Sequence, residues 1–128
     1  MKAYFGHIEQ DTSSNENFRK VVHTGKFAQV VLMSLKKGEE IGLEVHPHVD
    51  QFFRFEQGQG RVVVDAEEFA VEDGDSLMVP AGSQHNVINT GEGDLKLYTI
   101  YSPPNHPDGT VHKTKAEADA AEAKEHHS

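Results

Sequence analysis

The sequence predicts an all-β fold, a sandwich or barrel of short strands. Two observations point there. From residue 18 to residue 102, short apolar and β-branched runs alternate with turn signals built from Gly, Pro, Asn and Asp. No helical period and no strand–helix alternation interrupts that series. The size is also right for one domain: 128 residues suffice for a chain to bury roughly two-thirds of its unfolded surface, so no disulfide is required.

The N-terminal stretch EQDTSSNEN, residues 9–17, is polar and rich in loop formers, and residues 1–17 read as an exposed loop or arm. Strands are expected over 18–24 and over the apolar run FAQVVLMSL at 27–35, which Lys37-Gly38 ends. The next runs from Ile41 to His46 and stops at Pro47, which has no N–H to donate. Further strands are expected at 51–57, 61–65, 68–71, 75–79, 84–89 and 94–102, with a hairpin turn at Ala66-Glu67. The domain is thus a barrel over 18–102, followed by 103–128. That tail opens with the extended SPPNHPDG loop. Thr114 and Glu117 then form a capping-box pattern opening a short, alanine-rich helix.

Composition excludes several classes. There is no cysteine, hence no thiolate ligand and no cysteine nucleophile. The net charge of -9 argues against a nucleic-acid partner, which calls for a basic face. No apolar run spans a bilayer and no signal-peptide core opens the chain, so no membrane partner is expected and the cytoplasm is the expected compartment. His126 and His127 near the C-terminus are assigned no role.

Chemistry concentrates in EVHPHVDQFFRFEQG, residues 44–58. Glu44 and His46 are two apart and share one strand face. Gln51, Phe53 and Phe55 share a face of the following strand, which would give a cavity with polar groups at its mouth above an apolar interior. In the second stretch, GDSLMVPAGSQHNVIN at 74–89, His85, Val87 and Asn89 share a face. Glu44, His46 and His85 would present two imidazoles and one carboxylate on one side of a divalent transition metal (iron, manganese, nickel, cobalt or zinc), leaving positions open. Gln51 is read as a weak fourth metal ligand through its amide oxygen, or as a hydrogen-bond partner for a bound molecule.

These two stretches resemble the paired motifs of the cupin superfamily. Gly38, Glu44, His46, Gln51 and Gly58 fall at the first motif's positions, and Gly74, Pro80, Gly82, His85 and Asn89 match the second throughout. Two ligand positions depart from the family pattern: Glu44 replaces a histidine and Gln51 a glutamate, leaving the net ligand charge unchanged. The resemblance implies a double-stranded β-helix, or jelly-roll barrel, and a small-molecule ligand or substrate. It also implies a homodimer, in which the Phe52 side would bury against the partner. Small cupins of this kind are similar to the metal-binding part of mannose-6-phosphate isomerases, so the implied chemistry is isomerase-like or oxygenase-like. A non-catalytic ligand-binding or sensing domain without metal is the alternative. The string HPH offers a second register, with His46, His48 and His85 as ligands; otherwise His48 is a rim residue. His106 and His112 flank the proline loop and are read as surface residues, although that loop could fold over the barrel mouth.

Overall fold

The computed structural model describes residues 2–127, with side chains through 124. Among them the chain forms ten strands and two helices, in the order α1 (Ile8–Ser14), β1 (Arg19–Thr24), β2 (Gln29–Leu35), β3 (Glu44–Val45), β4 (Asp50–Gln57), β5 (Gln59–Val64), β6 (Glu67–Glu72), β7 (Ser76–Val79), β8 (Gln84–Asn89), β9 (Leu95–Ser102), β10 (Val111–His112) and α2 (Lys115–His127). One sheet has the order β10-β1-β2-β9-β4-β7 and the other β3-β8-β5-β6, with every paired strand antiparallel. The jelly-roll expectation is met.

Period-two alternation explains the core. In β4, Gln51, Phe53 and Phe55 point inward and are buried, while Phe52, Arg54 and Glu56 lie on the other face. Arg54 there sits 3.0 Å from Glu56. Val62, Val87, Leu95, Leu97, Val31, Met33 and Leu35 fill the space between the sheets. Fully burying each such side chain contributes about 1.5–3 kcal/mol. Gly58 ends β4 at a φ of +97°, and a Cβ there would lie 2.5 Å from the Asp94 carbonyl oxygen. Only glycine satisfies both conditions.

Three local expectations are corrected, and one strand is added. Residues 9–17 are not an exposed loop: Ile8–Ser14 is helical, with Thr12 and Asn15 buried. The reason lies on β9, where the buried Lys96 ammonium donates to the Asn15 carbonyl at 2.5 Å and to Glu16 at 3.3 Å, fixing the segment that follows the helix. The strand expected from Ile41 to His46 shrinks to Glu44–Val45, because Gly42 takes a φ of +112° and its N–H goes to the Asn86 side chain. The hairpin between β5 and β6 turns one residue earlier than expected, at Asp65-Ala66, where Asp65 adopts a φ of 52°. Finally, β10 extends the β1 edge with Arg19 opposite His112, a pairing too short to leave a sequence signal.

The C-terminal helix forms as expected. Thr114 accepts from the Glu117 N–H at 3.2 Å, and the Glu117 carboxylate accepts from the Lys113 N–H at 2.8 Å. It packs through Ala118, which is buried in the core.

Candidate metal centre

The site is assembled by register. β3 pairs with β8 so that Glu44 lies directly opposite His85. His46 leaves the end of β3 on the Glu44 side, and its carbonyl accepts from the Gly82 N–H at 2.9 Å. The Ala81 N–H donates to the Asp50 carboxylate at 2.8 Å. These two bonds fasten the turn before β8 to the turn before β4, and so hold one motif against the other. Gly82 makes its part of that turn at a φ of +90°.

Among the described residues, Glu44, His46 and His85 each present a donor atom within 4.8 Å of the others. Gln51 joins them from β4: its amide oxygen is 3.2 Å from His85 Nε2, and its amide nitrogen donates to the fully buried Thr99 hydroxyl at 3.0 Å. His48 stays exposed in the turn and outside this cluster, so the His46/His48/His85 register does not form.

The hydrogen bonding around the two imidazoles is incomplete in an informative way. His85 Nδ1 is 3.2 Å from the Ser83 carbonyl, and its Nε2 faces the Gln51 amide oxygen. Both neighbours are acceptors, and a neutral imidazole has one proton to give. A doubly protonated ring would satisfy both, but burial pulls His85 below its ordinary value despite the Ser83 carbonyl and Glu44. His46 Nε2 is enclosed and lies 2.8 Å from Glu44 Oε2, yet no hydrogen bond of acceptable angle forms there. Burial works to raise the Glu44 carboxyl, but His46 against it, with Arg19 and His85 nearby, outweighs burial and holds it below the usual range. The donor set is one carboxylate and two imidazoles with their donor atoms close together, which fits a divalent cation.

Above this cluster opens a cavity of about 370 Å³, lined by Leu43, Glu44, Val45, His46, Asn105, His106 and Glu122. The proline loop therefore does fold over the mouth and brings His106 to the pocket, which corrects its surface reading; His112 is not among the lining residues. His106 is half-buried, 3.2 Å from the Tyr101 hydroxyl with its ring edge-on to the tyrosine. Burial, with Arg19 adding to it, pushes His106 down to about 3. Tyr101, buried in β9 beside His46, is pushed well up by burial. His112 faces the Arg19 guanidinium, which donates to its Nδ1 at 3.4 Å.

Sequence reasoning did not place Arg19 or Glu122 at the site. Arg19 is fully buried in β1, where its guanidinium lies over the Phe18 ring. Neither left a motif signal: Arg19 comes from β1 and Glu122 from α2, both outside the two motifs.

Comparison with known proteins agrees with this geometry. A family model described as a cupin domain matches residues 31–101. A solved structure from Bacillus halodurans is 48% identical and superposes with a TM-score of 0.92, covering 93% of this chain and 95% of that one. YrkC of Bacillus subtilis is 55% identical over 127 residues, 94% of this chain and 68% of its own length. A protein of Acanthamoeba polyphaga mimivirus is 38% identical over 114 residues, 86% of this chain and 71% of its own. With the two-sheet barrel, the paired motifs and these matches in agreement, the chain belongs to the cupin family.

Proposed function

We propose that this protein is a metal-dependent enzyme acting on a small molecule, with Glu44, His46 and His85 as metal ligands and Gln51 as a weaker fourth. The observation that carries this reading is the convergence of one carboxylate and two imidazoles within 4.8 Å, two of them, Glu44 and His46, lining a cavity sized for a small molecule. The unmatched lone pairs on His85 and Gln51 support it, because a shared cation resolves a conflict that one proton cannot. Two imidazoles and a carboxylate leave coordination positions free for substrate, as suits iron, manganese, nickel, cobalt or zinc.

When bound, such an ion supplies Lewis acidity to a carbonyl or hydroxyl oxygen, or with iron a redox centre for oxygenation. Glu44 would offset part of its charge. The Ser83 carbonyl would hold the His85 proton on Nδ1 and leave Nε2 for the metal. Thr99 would orient the Gln51 amide. Isomerase-like and oxygenase-like reactions both fit this division of labour. Pairing of two copies through the face bearing Phe52 and its exposed cross-strand neighbour Met78 belongs to the same reading.

A second reading, a metal-free binding or sensing domain, is favoured by the Thr99 hydroxyl beside Gln51: with its amide turned the other way, Gln51 would donate to His85 Nε2 and accept from Thr99, and every lone pair would be met without an ion. Metal analysis of untagged protein separates the two. The enzyme reading expects about one transition metal per chain, lost in Glu44→Ala and His85→Ala while the circular dichroism spectrum is unchanged. Metal-free protein after supplementation with each candidate ion would reject it. Oxygen uptake on iron loading then divides oxygenase from isomerase.

A further inference from the structure

Asn105 and His106 line the same cavity as Glu44 and His46, and both are held from the barrel interior. Gln29 is fully buried as the first residue of β2, between Ala28 and Val30 in a largely apolar run. Its amide oxygen accepts from the N–H groups of Asn105 at 3.1 Å and His106 at 3.0 Å. Its amide nitrogen donates to the His106 carbonyl at 2.8 Å and to the Thr24 hydroxyl at 2.9 Å. All of its hydrogen-bonding capacity is used. One buried side chain thus fixes the backbone of two successive loop residues. Tyr101 then fixes the His106 ring from below through Nε2. A surface loop needs no such double anchoring, since water would satisfy its backbone. Fixed polar groups on the wall of a pocket are what orient a bound molecule.

The chemistry of the wall selects the ligand. Neither the Asn105 amide nor His106 Nδ1 has a hydrogen-bond partner among the described residues, and both residues line the cavity. An amide both donates and accepts; Nδ1 does one or the other, depending on which nitrogen holds the proton. A hydroxyl matches every one of these. No lysine or arginine is among the lining residues, whereas Glu44 and Glu122 are. A phosphate ester would find no side-chain cation on this wall to hold it. Leu43 and Val45 add apolar surface on the β3 side.

We propose that Asn105 and His106, clamped by Gln29, are the specificity wall of this site and that they recognise an uncharged, hydroxyl-bearing small molecule. This deepens the reading of the metal centre given above: the ion would hold one end of the molecule, and the wall its hydroxyl groups.

The test titrates isotope-labelled protein with a free aldohexose and, separately, with the 6-phosphate ester of the same sugar, following the Asn105 amide and His106 imidazole signals by NMR. The metal content of each sample is measured in parallel. The free sugar is expected to shift both signals and to bind more tightly than its phosphate ester. His106→Leu and Asn105→Ala should each weaken sugar binding, by about tenfold for the half-buried His106 and by less for the exposed Asn105. His106→Gln should recover part of the loss, and metal content should stay as in the wild type. Tighter binding of the phosphate ester, wild-type sugar affinity in both variants, or no shift at either residue would overturn the proposal. The two readings fail separately. Sugar binding at the wall in protein that takes up no metal would reject the metal centre and keep the wall. One metal per chain, with sugar affinity indifferent to His106 and Asn105, would do the reverse.

Discussion

Glu44 on β3 and His85 on β8 are cross-strand partners, residues 41 apart in sequence brought opposite each other by a strand only two residues long. A directly opposed antiparallel pair has Cβ atoms roughly 4.5–5.5 Å apart, close enough for two side chains to share one ion. The carboxylate is partly exposed and the imidazole is buried, so Glu44 brings charge beside imidazoles that are already largely desolvated. Glu44→Gln keeps the shape and removes that charge. Transition-metal affinity is expected to fall by more than the ~10–100-fold typical of losing an outer hydrogen-bond partner. Thermal unfolding of the metal-free protein should show that the variant still folds. Competition against a chelator measures the affinity.

Thr99 acts one step removed. Its hydroxyl accepts from the Gln51 amide nitrogen and so turns the amide oxygen toward His85. Thr99→Val is nearly isosteric but leaves a buried N–H without its partner, which costs about 1–3 kcal/mol of stability. Because the amide is then free to turn, metal affinity should also drop by about tenfold. Chemical denaturation and a metal titration on the same variant give both values. A stability loss with unchanged metal affinity would remove Gln51 from the ligand set.

How much of this was legible in the sequence depends on which physical signal carried each part. Period-two alternation placed Gln51, Phe53 and Phe55 on the inner face of β4, and His85, Val87 and Asn89 on that of β8, and both hold. Motif spacing placed Glu44, His46 and His85 in one cluster. The missed parts rest on single long-range bonds. The helix Ile8–Ser14 sits in a polar stretch and is secured by Lys96 from β9, which no local pattern announces. The return of the C-terminal segment over the mouth depends on Gln29 meeting residues 105 and 106. Gln29 did carry a mark, since it is an amide inside an apolar run. A buried amide must find partners somewhere, but where they lie is a property of the assembled barrel.

His106 makes the folded protein sensitive to acid. Burial and Arg19 lower it to about 3 in the folded state, against an ordinary value of 6.5. Between those values the unfolded chain binds the proton and the folded chain does not, so stability rises with pH across the window. The contribution is fully present above pH ~6.5 and is lost as the pH falls toward ~3. In metal-free protein the His106 imidazole signals should remain those of a neutral ring down to at least pH ~4.5. His106→Gln should flatten the pH dependence of the unfolding free energy between pH ~6.5 and ~4. A ring that titrates near its ordinary value would mean that water reaches it freely and that the loop does not cover the mouth.

Gln29 tests the anchoring itself, independently of any ligand. Gln29→Leu preserves size and apolar contact with β1 and β9 but removes every partner of the two loop N–H groups and the His106 carbonyl. Where such groups stay buried, each unmade bond costs about 1–3 kcal/mol, while a loop that swings out lets water repair part of the loss. The expected outcome is therefore a modest fall in global stability, about 1–3 kcal/mol, with a larger local effect. Amide exchange at residues 105 and 106 should accelerate by orders of magnitude as the segment opens without global unfolding. Exchange at β4 and β8 should track only the global change. If residues 105 and 106 exchange as slowly in the variant as in the wild type, the loop is held by something other than the buried amide.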